Sequence, residues 1–151
     1  MTKVTDPYAA APTLMKQWTA FSMAAQNSLE PTLIELVKIR SSILNGCANC
    51  INMHSVEARA KGETEQRVYL LAAWHEAPVY TPRERAALAW TDALTGIAQG
   101  HTQKAVKAEL EAHFTPEEQV HLTLMINVIN GWNRVAIGFD LWYEMPAAKA
   151  A

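Results

Sequence analysis

An all-α fold is expected from three observations. Helix-period hydrophobic patterning runs almost from end to end, and no stretch alternates polar and apolar residues between hairpin dipeptides. Two segments also open with complete helix-start signatures, Thr81-Pro82-Arg83-Glu84 and Thr115-Pro116-Glu117-Glu118. In each, threonine caps the free amides, proline takes the first helical position where its missing N–H costs nothing, and glutamate reaches back to close a capping box. A single domain over residues 1–151, with about six to eight helices, fits this length, because a chain of roughly 150 residues buries about two-thirds of its unfolded surface around one core.

In chain order the pattern predicts helices near 8–27, 31–44 and 47–61. The third closes as Arg59-Ala60-Lys61-Gly62, with cations at the negative end of the helix dipole and a glycine free to turn left-handed. A fourth runs from Thr64 to about His75, followed by 82–98, a short helix near 103–113 and a long one over 116–138. Gly131 lies inside the last and predicts either a kink or the close approach of another backbone. The repeated Thr-Pro start is read as independent use of a good cap, because nothing else in the chain repeats.

Half of the residues are hydrophobic and 19% are charged, the balance of an ordinary globular domain without long disordered tracts. The five tryptophans fit a large core or a subunit interface. A net charge of -2 with interspersed signs supplies no basic footprint for nucleic acid and no polybasic arm for a membrane surface, so neither is expected as a partner. No apolar run approaches the roughly 18 residues of a membrane span, and Met1–Pro7 lacks a signal-peptide core, which places the chain in the cytoplasm as an expectation. In that reducing compartment a close cysteine pair points to catalysis, redox sensing or metal binding rather than a structural bridge.

Such a pair is present. Cys47-Ala48-Asn49-Cys50-Ile51-Asn52-Met53-His54 holds the only two cysteines. Asn45-Gly46 is a turn signal, so the next helix begins at or beside Cys47 and both thiols fall in its first turns. Free amides and the positive end of the dipole favour a thiolate there. At about 100° per residue, Cys50 lies about 60° from Cys47, and His54 sits one turn above Cys50, so the three share a face. Helical Cα atoms three residues apart are roughly 5 Å apart, within disulfide range.

A low-pKa thiolate can attack a peroxide, become a sulfenic acid, and be displaced by a second thiol to form a disulfide that an external dithiol must reduce. His54 is nearer to Cys50, which makes Cys50 the attacking thiol, Cys47 the resolving one, and His54 a base or proton relay. The reverse order is also compatible with the spacing, because the amino-terminal cysteine of such a pair is the more exposed one at a helix start.

The run from Glu35 through Lys38, Arg40, Asn45-Gly46, Cys47, Cys50 and His54 resembles the AhpD-like alkylhydroperoxidases of the carboxymuconolactone decarboxylase superfamily. The likeness continues through Ala58–Thr64, Leu71–Pro78, Thr81–Trp90 and Ile126–Arg134, covering roughly 33–138. It implies an all-α homo-oligomer, a trimer or hexamer, that reduces hydroperoxides with electrons from a dithiol or protein reductant. For such a dithiol cycle no bound cofactor and no metal are expected. It further implies a proton relay from a glutamate twelve residues before the first cysteine and a histidine four after the second, which fall on Glu35 and His54. Asn49 stands where the best-known members carry histidine, and the decarboxylase branch lacks the paired cysteines.

Read without the resemblance, Glu35 lies at the margin of an apolar arc beside Lys38 and Ser42 and looks solvated. Arg40 falls inside that arc, as an interface ion pair or a snorkelling stem. Structural zinc needs four ligands as a rule, and His75, His101, His113 and His121 are isolated, so no second ligand pair accompanies the cysteines. Asn127, Trp132, Asn133, Arg134, Tyr69 and Trp74 are candidates for supporting the site. The competing class is a non-enzymatic helical protein whose cysteines sense oxidation or hold a metal.

Overall fold

The structure is a computed structural model describing residues 5–99 and 103–144. The described residues form eight α-helices and no strand. Helix α1 (Pro7–Ala10) is capped by Asp6, whose carboxylate accepts from the Tyr8 N–H, and α2 spans Pro12–Gln26. The single helix expected over 8–27 breaks at Ala11 (φ −139°, ψ 61°) because Pro12 lacks an amide and disfavours helical backbone in the residue before it. Helix α3 (Pro31–Asn45) ends on Gly46 at φ 68°, and α4 covers Ala48–Ala60. After α5 (Glu65–Leu70) the chain tightens into a 3₁₀ turn at Leu71–Ala73, short of a full helix to His75. Helices α6 (Pro82–Thr95), α7 (Gln103–His113) and α8 (Pro116–Gly138) complete the fold. Both expected capping boxes are formed, by Thr81 with Glu84 and by Thr115 with Glu118.

Helix α3 is the axis of the bundle, and every residue from Leu33 to Ser42 is buried. Leu36 and Ile39 pack with Leu71, Trp74 and Leu88. On a second side Leu33 and Val37 meet Ala87, Leu110, Leu122 and Ile126. Ile34 faces Ala25, Met125 and Ile129 on a third. A helix enclosed all round must also satisfy its polar residues internally. Arg40 does so with a two-pronged pair to Asp92 (2.7 and 2.9 Å) and donations to the Leu71 and Ala72 carbonyls. It is therefore an ion pair inside one chain, neither an interface group nor a snorkelling stem. Ser42 and Asn45 tie α3 to α8 through Asn133 and Asn130.

Gly131 produces no break in α8. What approaches is an aromatic ring, not a backbone: a Cβ built there would lie 2.6 Å from Trp18 Cζ2. Gly131→Val should therefore destabilise the fold by about 1–3 kcal/mol through overpacking, well above the fraction of a kcal/mol gained in helix propensity. Urea unfolding of the variant checks this.

Candidate active site

The turn that ends α3 delivers the cysteines. With Gly46 left-handed, the Cys47 N–H returns to the Ser42 carbonyl (3.0 Å). Cys47 is then the N-cap of α4, its sulfur accepting from the Cys50 N–H at 3.3 Å. The two sulfurs are joined in a disulfide, with Cα atoms 5.3 Å apart. Both are buried against Ala136 of α8 and the following Leu141. Cys47 is 1% exposed and Cys50 4%, so the expectation of a more exposed amino-terminal cysteine fails. Leu141, from the chain beyond α8 that no local rule could place there, packs on the cluster that holds both sulfurs.

A cavity of about 470 Å³ lies between α2, α4 and α8, and Cys50 but not Cys47 lines it. Met53, Met125, Val128, Ile129 and Trp132 form apolar wall, while Lys38, Asn49 and His54 supply polar atoms. His54 Nδ1 stands 2.9 Å from Glu57 Oε2 and 3.8 Å from Glu35 Oε2. The hydrogen bond from His54, opposed by partial burial and reinforced by Lys38, holds the Glu57 carboxyl down to about 2. Glu57 is thus an acceptor at neutral pH and His54 donates to it from Nδ1, so that in the neutral imidazole Nε2 is the atom with the lone pair.

Glu35 is 1% exposed, a buried carboxylate within a single protomer rather than the solvated one its sequence position suggested. Its Oε1 meets Lys38 Nζ at 2.9 Å and Lys61 Nζ at 2.5 Å, while its Oε2 has no hydrogen-bond partner. Lys38 is itself buried and also donates to Gln26 (3.1 Å) and Glu57 (3.5 Å). The four residues Glu35, Lys38, His54 and Glu57 form one network beside the cavity. Lys38 and Glu57 were missed by the sequence reading. The spacing of Glu57 three residues after His54 on one helix was the available signal for it.

A pH dependence follows for Glu57. Its folded value lies below the ordinary 4.5, so the stabilisation is complete above about pH 4.5 and is lost as pH falls towards 2. Glu57→Gln should flatten the acid side of the stability profile, as read from urea midpoints between about pH 5 and pH 2.

Residues 12–93 match the carboxymuconolactone decarboxylase family. The chain belongs to that family. It is 46% identical to the uncharacterized protein YdfG of Bacillus subtilis (strain 168) over 112 residues, 74% of this chain and 76% of the relative. Among solved structures it resembles ATU0492 from Agrobacterium tumefaciens, a protein of unknown function described as a candidate antioxidant defence protein AhpD. That similarity has a TM-score of 0.91 and 41% identity, and covers 96% of this chain and all of that one. The debrominase Bmp8, solved with 2,3,4-tribromopyrrole, shares the fold at a TM-score of 0.79 and 20% identity, over 90% of this chain and 73% of its own. Membership in the AhpD-like branch of the carboxymuconolactone decarboxylase superfamily, read from residues 33–138, therefore stands.

The remaining candidates sort by position in this AhpD-like fold. Trp132 lines the cavity, and Asn133 is buried in the α3–α8 contact. Trp74 donates to Asp92 and stacks on His75, away from the sulfurs. Tyr69, Asn127 and Arg134 face solvent. His113 is half-buried, His121 stands beside Glu117, and His101 lies outside the described residues.

Glu35, His54 and Glu57 bring potential metal-ligating atoms within 4.8 Å of one another. The Lys38 ammonium already bridges both carboxylates, and Lys61 adds a second cation. Two fixed positive charges oppose a metal ion at that place. Among the described residues, no helix is long and apolar enough to cross a membrane.

Proposed function

We propose that the chain is a thiol-dependent hydroperoxide reductase working through the Cys47–Cys50 pair. The observation that carries this reading is a disulfide with one sulfur, that of Cys50, facing an apolar cavity that His54 also lines. In the reduced protein His54 Nε2 takes the Cys50 proton, and the thiolate attacks the terminal peroxide oxygen. The O–O bond breaks, the alkoxide leaves as an alcohol after taking a proton, and Cys50 becomes a sulfenic acid. Cys47 attacks that sulfur, water leaves, and the disulfide forms. An external dithiol returns two electrons and two protons by exchange. Glu57 orients His54, and Glu35 with Lys38 forms the charged base on which both rest.

The family resemblance supports a homo-oligomer, trimeric or hexameric, with a dithiol or protein reductant, and the proposal adds a cytoplasmic location and no resident cofactor. The apolar wall favours organic hydroperoxides over hydrogen peroxide, which gains nothing from apolar contact. Deep burial of both sulfurs favours one second reading, a sensor that oxidises without cycling.

Hydroperoxide consumption with a panel of dithiol donors tests the proposal. The native protein should turn over, and His54→Ala should lose about 10²- to 10⁴-fold in rate, the usual contribution of a positioned base. One oxidation per chain with no turnover under any donor selects the sensor.

A further inference from the structure

The chain leaving α8 folds back onto the disulfide. Leu141 N–H bonds the Ala136 carbonyl at 2.9 Å and Asp140 N–H the Ile137 carbonyl at 3.4 Å, the paired closure of a Schellman motif. Asp140 occupies the left-handed position at φ 51°, where glycine would be free of strain. The reversal lays the Leu141 side chain on Cys47, Cys50 and Ala136. Two residues on, the Tyr143 N–H donates to Asn49 Oδ1 at 2.8 Å. Asn49 lies between the cysteines in sequence and is itself buried. Leu141 and Tyr143 then form part of the cavity wall.

We propose that residues 139–144 are a cap, latched by Asn49, that selects which thiol can reduce the disulfide. The inference rests on the thiol-peroxidase reading, in which that reduction completes each cycle. Exchange requires the attacking thiolate to reach a disulfide sulfur, and its rate depends on access. Cys47 is buried and absent from the cavity lining, Leu141 packs on the cluster that holds both sulfurs, and Cys50 lines a cavity of about 470 Å³ whose wall includes Leu141 and Tyr143. A compact dithiol fits that space. A thiol on the surface of a folded protein reaches neither sulfur until Leu141 and Tyr143 lift away. In the step itself the reductant's thiolate bonds to Cys50 Sγ, the Cys47–Cys50 bond breaks, and Cys47 leaves as a thiolate and takes a proton. The reductant's second thiol, as thiolate, then attacks its own sulfur in the mixed disulfide and releases Cys50, which takes the second proton. Asn49, where better-known relatives place a histidine, is on this account a specificity-determining residue for the electron donor.

The test is thiol appearance in the oxidised, full-length protein under anaerobic conditions, with dithiothreitol as the compact probe and reduced thioredoxin as the folded one. Asn49→Ala removes the latch acceptor. Tyr143→Pro removes the donor instead, leaving the sequence of the Cys47–Cys50 segment unchanged. Each variant should be reduced by thioredoxin roughly five- to tenfold faster, the factor that one lost hydrogen bond is worth. The ratio of the thioredoxin rate to the dithiothreitol rate should rise by that factor, because Asn49 and Tyr143 both line the cavity and a change in its wall alone acts on both reductants, and the equilibrium redox potential should stay unchanged. Equal acceleration by both reductants, a shifted potential, or no acceleration by thioredoxin in either variant would overturn the cap. No peroxide enters this measurement, so a protein that behaves as expected here but consumes no hydroperoxide removes the proposed activity and leaves the cap standing.

Discussion

Cys50→Ser is expected to reduce hydroperoxide turnover to background, whereas Cys47→Ser is expected to react once and stop. The asymmetry comes from placement. Cys50 alone lines the cavity, so it is the sulfur a hydroperoxide can meet. Cys47 caps α4 and is buried outside the cavity lining, where it is placed to displace water from an oxidised Cys50 rather than to meet the peroxide. Serine at position 50 leaves a hydroxyl too weakly acidic to be ionised by a neighbouring imidazole. Serine at position 47 leaves the first step intact and removes the second. Hydroperoxide loss followed with pre-reduced protein freed of small thiols separates the two, since one equivalent consumed per chain marks the stalled Cys47 variant and none marks the Cys50 variant. Equal consumption by both variants would place the chemistry elsewhere.

The second large effect concerns stability. Arg40→Ala should cost about 3–5 kcal/mol, the range for removing one partner of a buried ion pair. Four of its contacts are lost together: two to Asp92 and one each to the Leu71 and Ala72 carbonyls. Asp92 retains the Trp74 indole N–H and His75 at 3.5 Å. These do not replace a full cation. Arg40→Lys should recover little, because a point charge cannot span both carboxylate oxygens and two carbonyls at once. Urea unfolding monitored by tryptophan fluorescence and by far-ultraviolet dichroism checks the magnitude, and a loss under 1 kcal/mol would show that the pair is dispensable.

The helices were legible in the chain wherever a local rule decided them. Thr81-Pro82 and Thr115-Pro116 both cap as their spacing requires, and Gly46 turns left-handed where Asn45-Gly46 signalled a turn. Pro12 was equally visible, yet the break at Ala11 was passed over in favour of one long helix. The site was legible in part. The Cys-x-x-Cys spacing gave a feasible disulfide, and the Cys50–His54 spacing put the imidazole on the same side of α4. Glu35 came only from the family pattern, because its burial depends on Lys61 arriving from the far end of α4. Lys38 was invisible for the same reason, since its partners Gln26 and Glu57 lie on other helices and nothing in α3 alone announces them. Part of the packing around the two sulfurs comes from Leu141, far away in the chain and tied by contacts that no periodicity encodes.

The most direct measurement is the position of the first oxygen atom. Reduced Cys47→Ser protein, given one equivalent of an organic hydroperoxide and a sulfenate-trapping reagent, is digested and mapped by mass spectrometry. The adduct should sit on Cys50, with Met53 and Met125 in the same cavity left unoxidised. An unmodified Cys50 beside oxidised methionine, or no oxygen transferred at all, would contradict the assignment of Cys50 as the peroxide-reactive sulfur.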